Sequence, residues 1–169
     1  MEICYIKSNR RTLALEITSD LRVLVRMPHT CSMARAKRFV SEHRDWIEKH
    51  YQRQKFQTER YALSSEQAEA LRKEAKEYIP KRVKYFADLT GLVPAGISIT
   101  SAKTRFGSCS AKNRLNFSLY LMLYSKKAVD YVVLHEICHI AYKNHGGEFY
   151  GLIARYMPDY KEVVKELKK

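Results

Sequence analysis

The chain has 169 residues, of which 46% are hydrophobic and 11% are aromatic. This length and content are typical of one folded domain with a buried core, and they exclude a disordered chain. The 31 lysines and arginines outnumber the 18 acidic residues, which gives a net charge of +13. The excess is spread over the whole chain, so it fits an anionic partner and a merely solvated basic surface equally.

The start of the chain and its cysteines predict a cytoplasmic protein. Residues 1–7 lack the charged-then-apolar pattern of a secretory signal, and no apolar run is long enough to cross a membrane. The four cysteines show no paired spacing and are Cys4, Cys31, Cys109 and Cys138. We therefore expect free thiols in a reducing compartment, with Cys138 packed in the core.

The first elements in chain order are a β-hairpin and a helix. Residues 12–27 alternate between apolar and polar side chains on both sides of Ser19 and Asp20, which predicts two antiparallel strands. A helical period then covers residues 32–54. The polar residues 52–63 are expected to form a connection.

A second helix and a short strand are expected next. Ser64 and Gln67 fit a capping box at the start of the helix. We expect Pro80 to bend or break this helix and Gly91 to end it. Residues 97–100 then alternate as a short strand.

The second half of the chain completes a small sheet and closes with helices. Residues 105–110 predict a turn of small residues, and residues 114–124 predict a strand pair or one long strand. Ser125 can cap the helix that follows. Further helices are expected over residues 148–157 and up to Lys169. This order of elements predicts the α+β class with a small antiparallel sheet.

The run His135-Glu-Ile-Cys-His139 combines the ligands of a metal site with a carboxylate. Residues four apart lie on one face of a helix, so His135 and His139 can direct their imidazoles at one ion. Glu136 can take a proton from water at that ion. His145 follows six residues later and can fold back as a third ligand. Three protein ligands leave one position open for water, as in catalytic zinc sites.

The surroundings of this run favour a metal site. Residues 129–141 are apolar almost all round, which predicts a buried helix, and buried histidines and glutamates need partners. The alternative is a pair of core histidines bonded to carbonyl groups. Zinc is the expected ion, although three imidazoles also accept nickel, cobalt or manganese.

Such a site could hydrolyse an amide, an ester or a phosphoanhydride, with Glu136 moving the proton. A further donor is expected for the oxyanion. The candidates for it are Arg105, Tyr142, Tyr150 and Tyr156. Glu148 is expected either to orient a histidine ligand or to cap the next helix.

The turn that contains Arg105 and Ser108 has two interpretations. As a functional loop it would bring the guanidinium and nearby N–H groups to a phosphate or carboxylate of the substrate. As an ordinary turn it would need only the backbone freedom of Gly107.

The spacing from His139 to His145 matches the metzincin pattern His-Glu-x-x-His-x-x-Gly-x-x-His, except that Tyr142 stands at the glycine position. The chain must then turn without this glycine, and we expect Asn144 to adopt a left-handed conformation. The departure argues against a metzincin.

A larger set of motifs resembles the YgjP-like, SprT-related zinc metallopeptidases. These motifs are residues 105–110, 115–117, 132–139, 144–145 and 149–150, with residues 10–12 and 45–47 near the N-terminus. The resemblance implies a zincin-like fold with zinc on His135, His139 and His145 and with Glu136 as the base. The chain departs from the family at Phe106, where a tryptophan is usual, and in the short stretch between the first two predicted helices.

We therefore expect a single metallopeptidase domain over residues 1–169. It would consist of an N-terminal hairpin and helix in residues 1–58 and a zincin-like core in residues 59–169. Its peptide or protein substrate would lie along the sheet edge beside the motif helix. The alternatives are a phosphohydrolase acting on nucleotides, favoured by the charge and Arg105, and a protease associated with nucleic acid. We expect no membrane partner, and the sequence indicates no oligomeric state.

Overall fold

The computed structural model describes residues 1–167, which form six strands, six α-helices and one 3-10 helix. The α+β class expected from the sequence is confirmed. The chain divides into two compact units, Met1–Ala62 and Leu63–Lys169. The single domain over residues 1–169, with its internal division after residue 58, stays a prediction. Within the described part of the chain, no helix is both long and apolar enough to cross a membrane.

The first unit contains a three-stranded mixed sheet. Its strands are β1 (Glu2–Ser8), β2 (Ala14–Ile17) and β3 (Arg22–Pro28), in the order β1-β3-β2. The antiparallel pair of β2 and β3 confirms the expected hairpin. The sequence did not predict β1, which pairs parallel to β3.

Two helices follow in this unit, α1 (Met33–Glu42) and α2 (Arg44–Arg60). The hydroxyl of Ser32 caps α1. The single predicted helix is thus divided at His43. The connection expected over residues 52–63 is wrong, because α2 continues to Arg60. A helix exposed on most sides can be polar when side chains four residues apart bond to each other, as Gln52 does to Glu48 at 2.8 Å.

The second unit begins with the long helix α3 (Ser65–Thr90). The capping box of Ser64 and Gln67 is present, and Gly91 ends the helix with a φ of 75°. Both expectations are confirmed. Pro80 lies inside the helix and does not break it.

A second three-stranded sheet is also mixed. Its strands are β4 (Gly96–Thr100), β5 (Gly107–Cys109) and β6 (Arg114–Ser118), in the order β4-β6-β5. The antiparallel sheet expected from the sequence is therefore wrong in detail, because β4 runs parallel to β6 and only β5 is antiparallel. The strand expected to reach residue 124 ends at Ser118, whose hydroxyl caps the 3-10 helix Leu119–Leu123.

Three helices complete the second unit: α4 (Lys126–Ala141), α5 (Gly147–Tyr156) and α6 (Tyr160–Leu167). Ser125 caps α4 as expected, and Cys138 is fully buried in it. Asp130 of α4 forms a bidentate ion pair with Arg82 of α3, at 2.6 and 2.9 Å. The predicted end of the last helix at Lys169 lies outside the described residues.

Candidate metal centre

The imidazoles of three histidines converge on one point. His135 and His139 lie one turn apart on α4, and His145 follows the end of this helix. The Nε2 atom of His145 lies 3.1 Å from Nε2 of His139 and 3.1 Å from Nε2 of His135. A tetrahedral zinc ion with bonds of about 2.0–2.1 Å holds its nitrogen ligands roughly 3.3 Å apart, so both separations from His145 fit such an ion. The possible ligand atoms of all three histidines lie within 4.8 Å of one another.

The segment between the helices brings His145 back without a left-handed residue. Tyr142 continues from α4 with an extended backbone, φ −125° and ψ 108°. The N–H of Gly146 then bonds to the carbonyl of Asn144 at 2.9 Å. Among residues 1–167, only Leu21 and Asn113 are non-glycine residues with positive φ. The left-handed conformation expected for Asn144 is therefore wrong.

The other ring nitrogens of the helical histidines have partners of their own. Nδ1 of His139 lies 2.9 Å from the carbonyl oxygen of Tyr142, a group that only accepts, so Nδ1 carries the proton and donates. This leaves the Nε2 lone pair of His139 for an ion. Nδ1 of His135 lies 3.4 Å from the hydroxyl of Tyr131, a residue that the sequence did not single out.

Burial keeps the helical histidines neutral. It lowers the pKa of His135 to about 4, and the neighbouring His139 and His145 lower it further in the same direction. Burial also lowers the pKa of His139, against the hydrogen bond to Tyr142, which raises it. Neutral imidazoles are the form that binds metal ions.

A single phenylalanine lies beneath all three rings. The ring of Phe149 is fully buried, and its centroid lies 4.9 Å from His135, 4.5 Å from His139 and 4.9 Å from His145. The sequence signal for this role is weak, since Phe149 is only an apolar residue four positions after His145. Phe149 limits how far the three imidazoles can rotate away from their common point.

Glu136 is buried beside the histidines, with 6% of its surface exposed. Burial raises the pKa of its carboxyl group to about 7, and the positive charge of Arg105 acts in the opposite direction. The carboxyl group lies directly against β5. A Cβ atom at Gly107 would stand 2.7 Å from Cγ and Oε1 of Glu136. Gly107 therefore leaves the space that the carboxyl group occupies. It lies in strand β5, so the turn predicted over residues 105–110 is wrong at this position.

The family model of the YgjP-like metallopeptidase domain matches residues 11–69 and 55–169. The chain belongs to the YgjP-like metallopeptidase family. It is thus a metal-dependent hydrolase of the peptidase type, and the family implies a divalent metal ion. A similar solved structure is the metallopeptidase zymogen of Methanocaldococcus jannaschii jannalysin, with 23% identity and a TM-score of 0.48 over 53% of this chain and 92% of that chain. No curated protein matches the chain.

The substrate-binding candidates of this YgjP-like chain lie at different places around the centre. Arg105 is exposed and precedes β5 in the chain. Its positive charge lowers the pKa of the Glu136 carboxyl group. Tyr150 is 37% exposed and stacks beside His145, with ring centroids 6.2 Å apart. Tyr142 meets the centre through its carbonyl group. Their roles towards substrate stay predictions.

Ser108 faces the other side of the sheet from Glu136. Its register partner on β6 is Asn116, which alternates with the fully buried Leu115 and Phe117. Successive side chains of a strand point to opposite faces. Ser108 and Asn116 therefore lie on the outer face, where the Asn116 amide donates to the Ser108 hydroxyl at 3.3 Å.

Two further candidates stand apart from the three imidazoles. The ring of Tyr156 lies under the guanidinium of Arg155, 5.8 Å away. Glu148 lies in the first turn of α5. Within residues 1–167 it makes no hydrogen bond to the three histidines, and its position suits a carboxylate that stabilises a helix N-terminus. The sequence left two roles open for Glu148, orienting a histidine or capping the helix. The N-cap of α5 is Gly146 and no side chain makes a capping hydrogen bond there, so Glu148 acts on this helix only through its charge in the first turn.

A column of tyrosines borders the histidines on another side. Tyr160 of α6 stacks on Tyr131, with centroids 6.2 Å apart and planes 6° apart. It also stacks on Tyr150, at 5.9 Å and 14°. Tyr131 contacts His135 and Tyr150 contacts His145, so α6 supports two of the three histidines through this column.

Proposed function

We propose that this chain is a zinc-dependent peptidase in which His135, His139 and His145 hold the ion and Glu136 is the general base. The observation that carries the proposal is the convergence of three imidazoles beside a buried carboxyl group, with Nε2 of His145 lying 3.1 Å from Nε2 of each of the other two histidines. Nickel, cobalt and manganese also bind to three imidazoles, but zinc is the common ion for this ligand set. When bound, zinc acts as a Lewis acid that polarises the scissile carbonyl group and acidifies water.

Glu136 is suited to move a proton in this reaction. It follows His135 directly on α4, and the backbone of Gly107 limits the positions that its carboxyl group can take. An oxygen of this carboxyl group accepts a proton from the attacking water and later returns it to the leaving amine. A fixed base saves the reorganisation that a mobile carboxylate would need.

The substrate would lie along β5. This strand is at the edge of its sheet, since β6 is its only partner strand among the described residues. An extended peptide can pair with such an edge through main-chain hydrogen bonds. The peptide would then pass Gly107 and present its carbonyl groups near Glu136. Arg105, Tyr142 and Tyr150 are the candidates for stabilising the oxyanion.

Hydrolysis of casein and of a mixture of quenched fluorescent peptides tests this proposal. The zinc-loaded protein should cleave, and Glu136→Gln should lose about 10²–10⁴-fold in rate while it retains the metal. Glu148→Gln is a matched control, because Glu148 is exposed in the first turn of α5. Equal rates for wild type and Glu136→Gln would overturn the proposed base.

A metal-dependent phosphohydrolase is the second candidate. It is favoured by Arg105, whose positive charge lowers the pKa of the Glu136 carboxyl group and suits an anionic substrate. Nucleoside triphosphates in the same assay, with release of phosphate or pyrophosphate as the readout, separate the two chemistries. Association with nucleic acid rests on the net charge alone. Its test is binding that survives metal removal and weakens steeply with salt.

A further inference from the structure

We infer that a pocket on the outer face of the second sheet binds an acidic side chain of the peptide substrate. The inference rests on the proposed peptidase function and names a class of substrate for it. The pocket has a volume of about 230 Å³. Its polar lining includes Arg105, Ser108, Asn116 and Thr100.

The donors that line this pocket suit a carboxylate. Ser108 accepts a hydrogen bond from the Asn116 amide, so its own hydroxyl proton is available to a ligand. The Thr100 hydroxyl donates to the Phe117 carbonyl group at 3.4 Å, so it does not donate to a ligand and Ser108 and Arg105 are the available donors. Arg105 forms no ion pair within 4.0 Å of a carboxylate in the described part of the chain, and its positive charge acts only at longer range on Glu136. A guanidinium that lines a pocket and forms no hydrogen-bonded ion pair keeps its N–H donors for an anion.

The position of the pocket connects it with the reaction centre. Gly107 lies against Glu136 on one side and lines the pocket on the other. In a peptide that pairs with β5, successive side chains point to opposite faces of the sheet. When one residue faces α4 and Glu136, its neighbour faces the pocket. The acidic residue would thus lie next to the scissile bond.

Lys143 places a second positive charge at the end of β5 opposite to Arg105. The ammonium group of Lys143 lies 2.7 Å from Oδ1 of Asn113 and 3.5 Å from the carbonyl oxygen of Ser110, just beyond the strand. Arg105 and Lys143 therefore place a positive charge at each end of the three-residue strand. This arrangement attracts acidic peptides and repels basic ones.

Binding of labelled peptides to the zinc-loaded Glu136→Gln protein tests the inference without hydrolysis. Peptides that carry aspartate or glutamate should bind about tenfold or more tightly than the same peptides with asparagine or glutamine. Adding Arg105→Glu should reverse this preference in favour of lysine-containing peptides. Arg114→Glu is the matched control, since it makes the same change of charge at the far end of β6, where the Arg114 guanidinium lies against Gly96 of β4.

The outcomes separate the inference from the proposed function. Equal affinity for acidic and amide peptides would overturn the pocket, even if wild type hydrolyses peptides. Selective binding without hydrolysis by wild type would overturn the peptidase and leave the pocket in place. Inorganic triphosphate is the competing anion in the same assay. If it binds through Arg105 and the acidic peptides do not, the pocket recognises phosphate and the inference is wrong.

Discussion

The carboxyl group of Glu136 and the backbone of Gly107 are in direct contact. A Cβ atom added at position 107 would lie 2.7 Å from Oε1 and 2.9 Å from Cδ of Glu136, closer than real Cβ atoms approach other atoms. Gly107 belongs to β5 and Glu136 to α4, so this contact sets the distance between the strand and the helix. It also decides where the carboxyl group stands relative to the three imidazoles.

Gly107→Ala should therefore inactivate the enzyme while leaving the metal in place. The new methyl group must displace the Glu136 carboxyl group, and a displacement of about 1 Å can cost 10²-fold in rate. We expect kcat/KM for peptides to fall at least about 100-fold with an unchanged metal content. Gly151→Ala is the control, because a Cβ atom there meets nothing within 4 Å. Equal activity of the two variants would contradict the account.

Tyr131→Phe should weaken metal binding. The variant removes the hydroxyl group 3.4 Å from Nδ1 of His135 and keeps the ring that stacks on Tyr160. Burial raises the pKa of Tyr131 to about 12, so this hydroxyl group stays protonated. Loss of such an outer partner weakens metal affinity by about 10–100-fold. Competition with a chromogenic zinc chelator measures it, and Tyr85→Phe on an exposed ring is the control. Equal affinities for the two variants would remove Tyr131 from this role.

The pH dependence of stability in the metal-free protein should reveal two opposing groups. The raised pKa of Glu136, about 7, makes the folded state bind more protons than the unfolded state, so unfolding free energy falls between about pH 4.5 and 7. The lowered pKa of His135, about 4, has the opposite sign, so stability falls as the pH drops from 6.5 to 4.

Glu136→Gln removes the contribution of Glu136 to the pH dependence of stability and leaves that of His135. Relative to wild type, the variant should gain up to about 3 kcal/mol of unfolding free energy as the pH rises through this window, at 1.36 kcal/mol per pKa unit. Urea denaturation in the presence of a chelator at pH 5 and 7.5 measures the difference. Parallel pH curves would show that the carboxyl group of Glu136 is not held in a buried environment.

Asp130→Asn should destabilise the second unit without changing the metal site. The bidentate pair of Asp130 with Arg82 is partly buried and joins α3 to α4. Hydrogen bonds between charged groups of this kind contribute about 1.5–3 kcal/mol, so we expect a loss of about 1–3 kcal/mol in urea denaturation. Asp88→Asn breaks the exposed pair with Lys84 and should cost less than about 0.5 kcal/mol. Similar losses in both variants would contradict the argument.

The parts of the fold that the sequence predicted depend on local signals. Ser64 and Gln67 form a capping box across one turn, and the hairpin of β2 and β3 follows from alternation on both sides of a short turn. His135 and His139 lie on one helix face because of the helical period alone. Each of these patterns involves residues that are close in the chain, so the local backbone geometry is enough to determine the structure that they form.

The parts that the sequence did not predict depend on residues that are distant in the chain. β1 pairs parallel to β3, with Glu2 opposite Arg22, and nothing near Glu2 indicates this partner. The contact of Gly107 with Glu136 joins a strand and a helix that are far apart in sequence. Phe149 follows His145 closely, but its place under all three rings depends on how α5 packs against α4. Tertiary packing decides these relationships.

We propose that His135, His139 and His145 together hold one metal ion. Elemental analysis of purified wild type, His145→Ala and His43→Ala tests it most directly, because His43 bonds to the Phe39 carbonyl group outside the cluster. We expect about one zinc ion per chain in wild type and in the His43 variant, and a marked loss in His145→Ala. A wild-type protein that retains no metal after zinc is added and the excess removed, or a His145 variant that retains as much as wild type, would contradict the account.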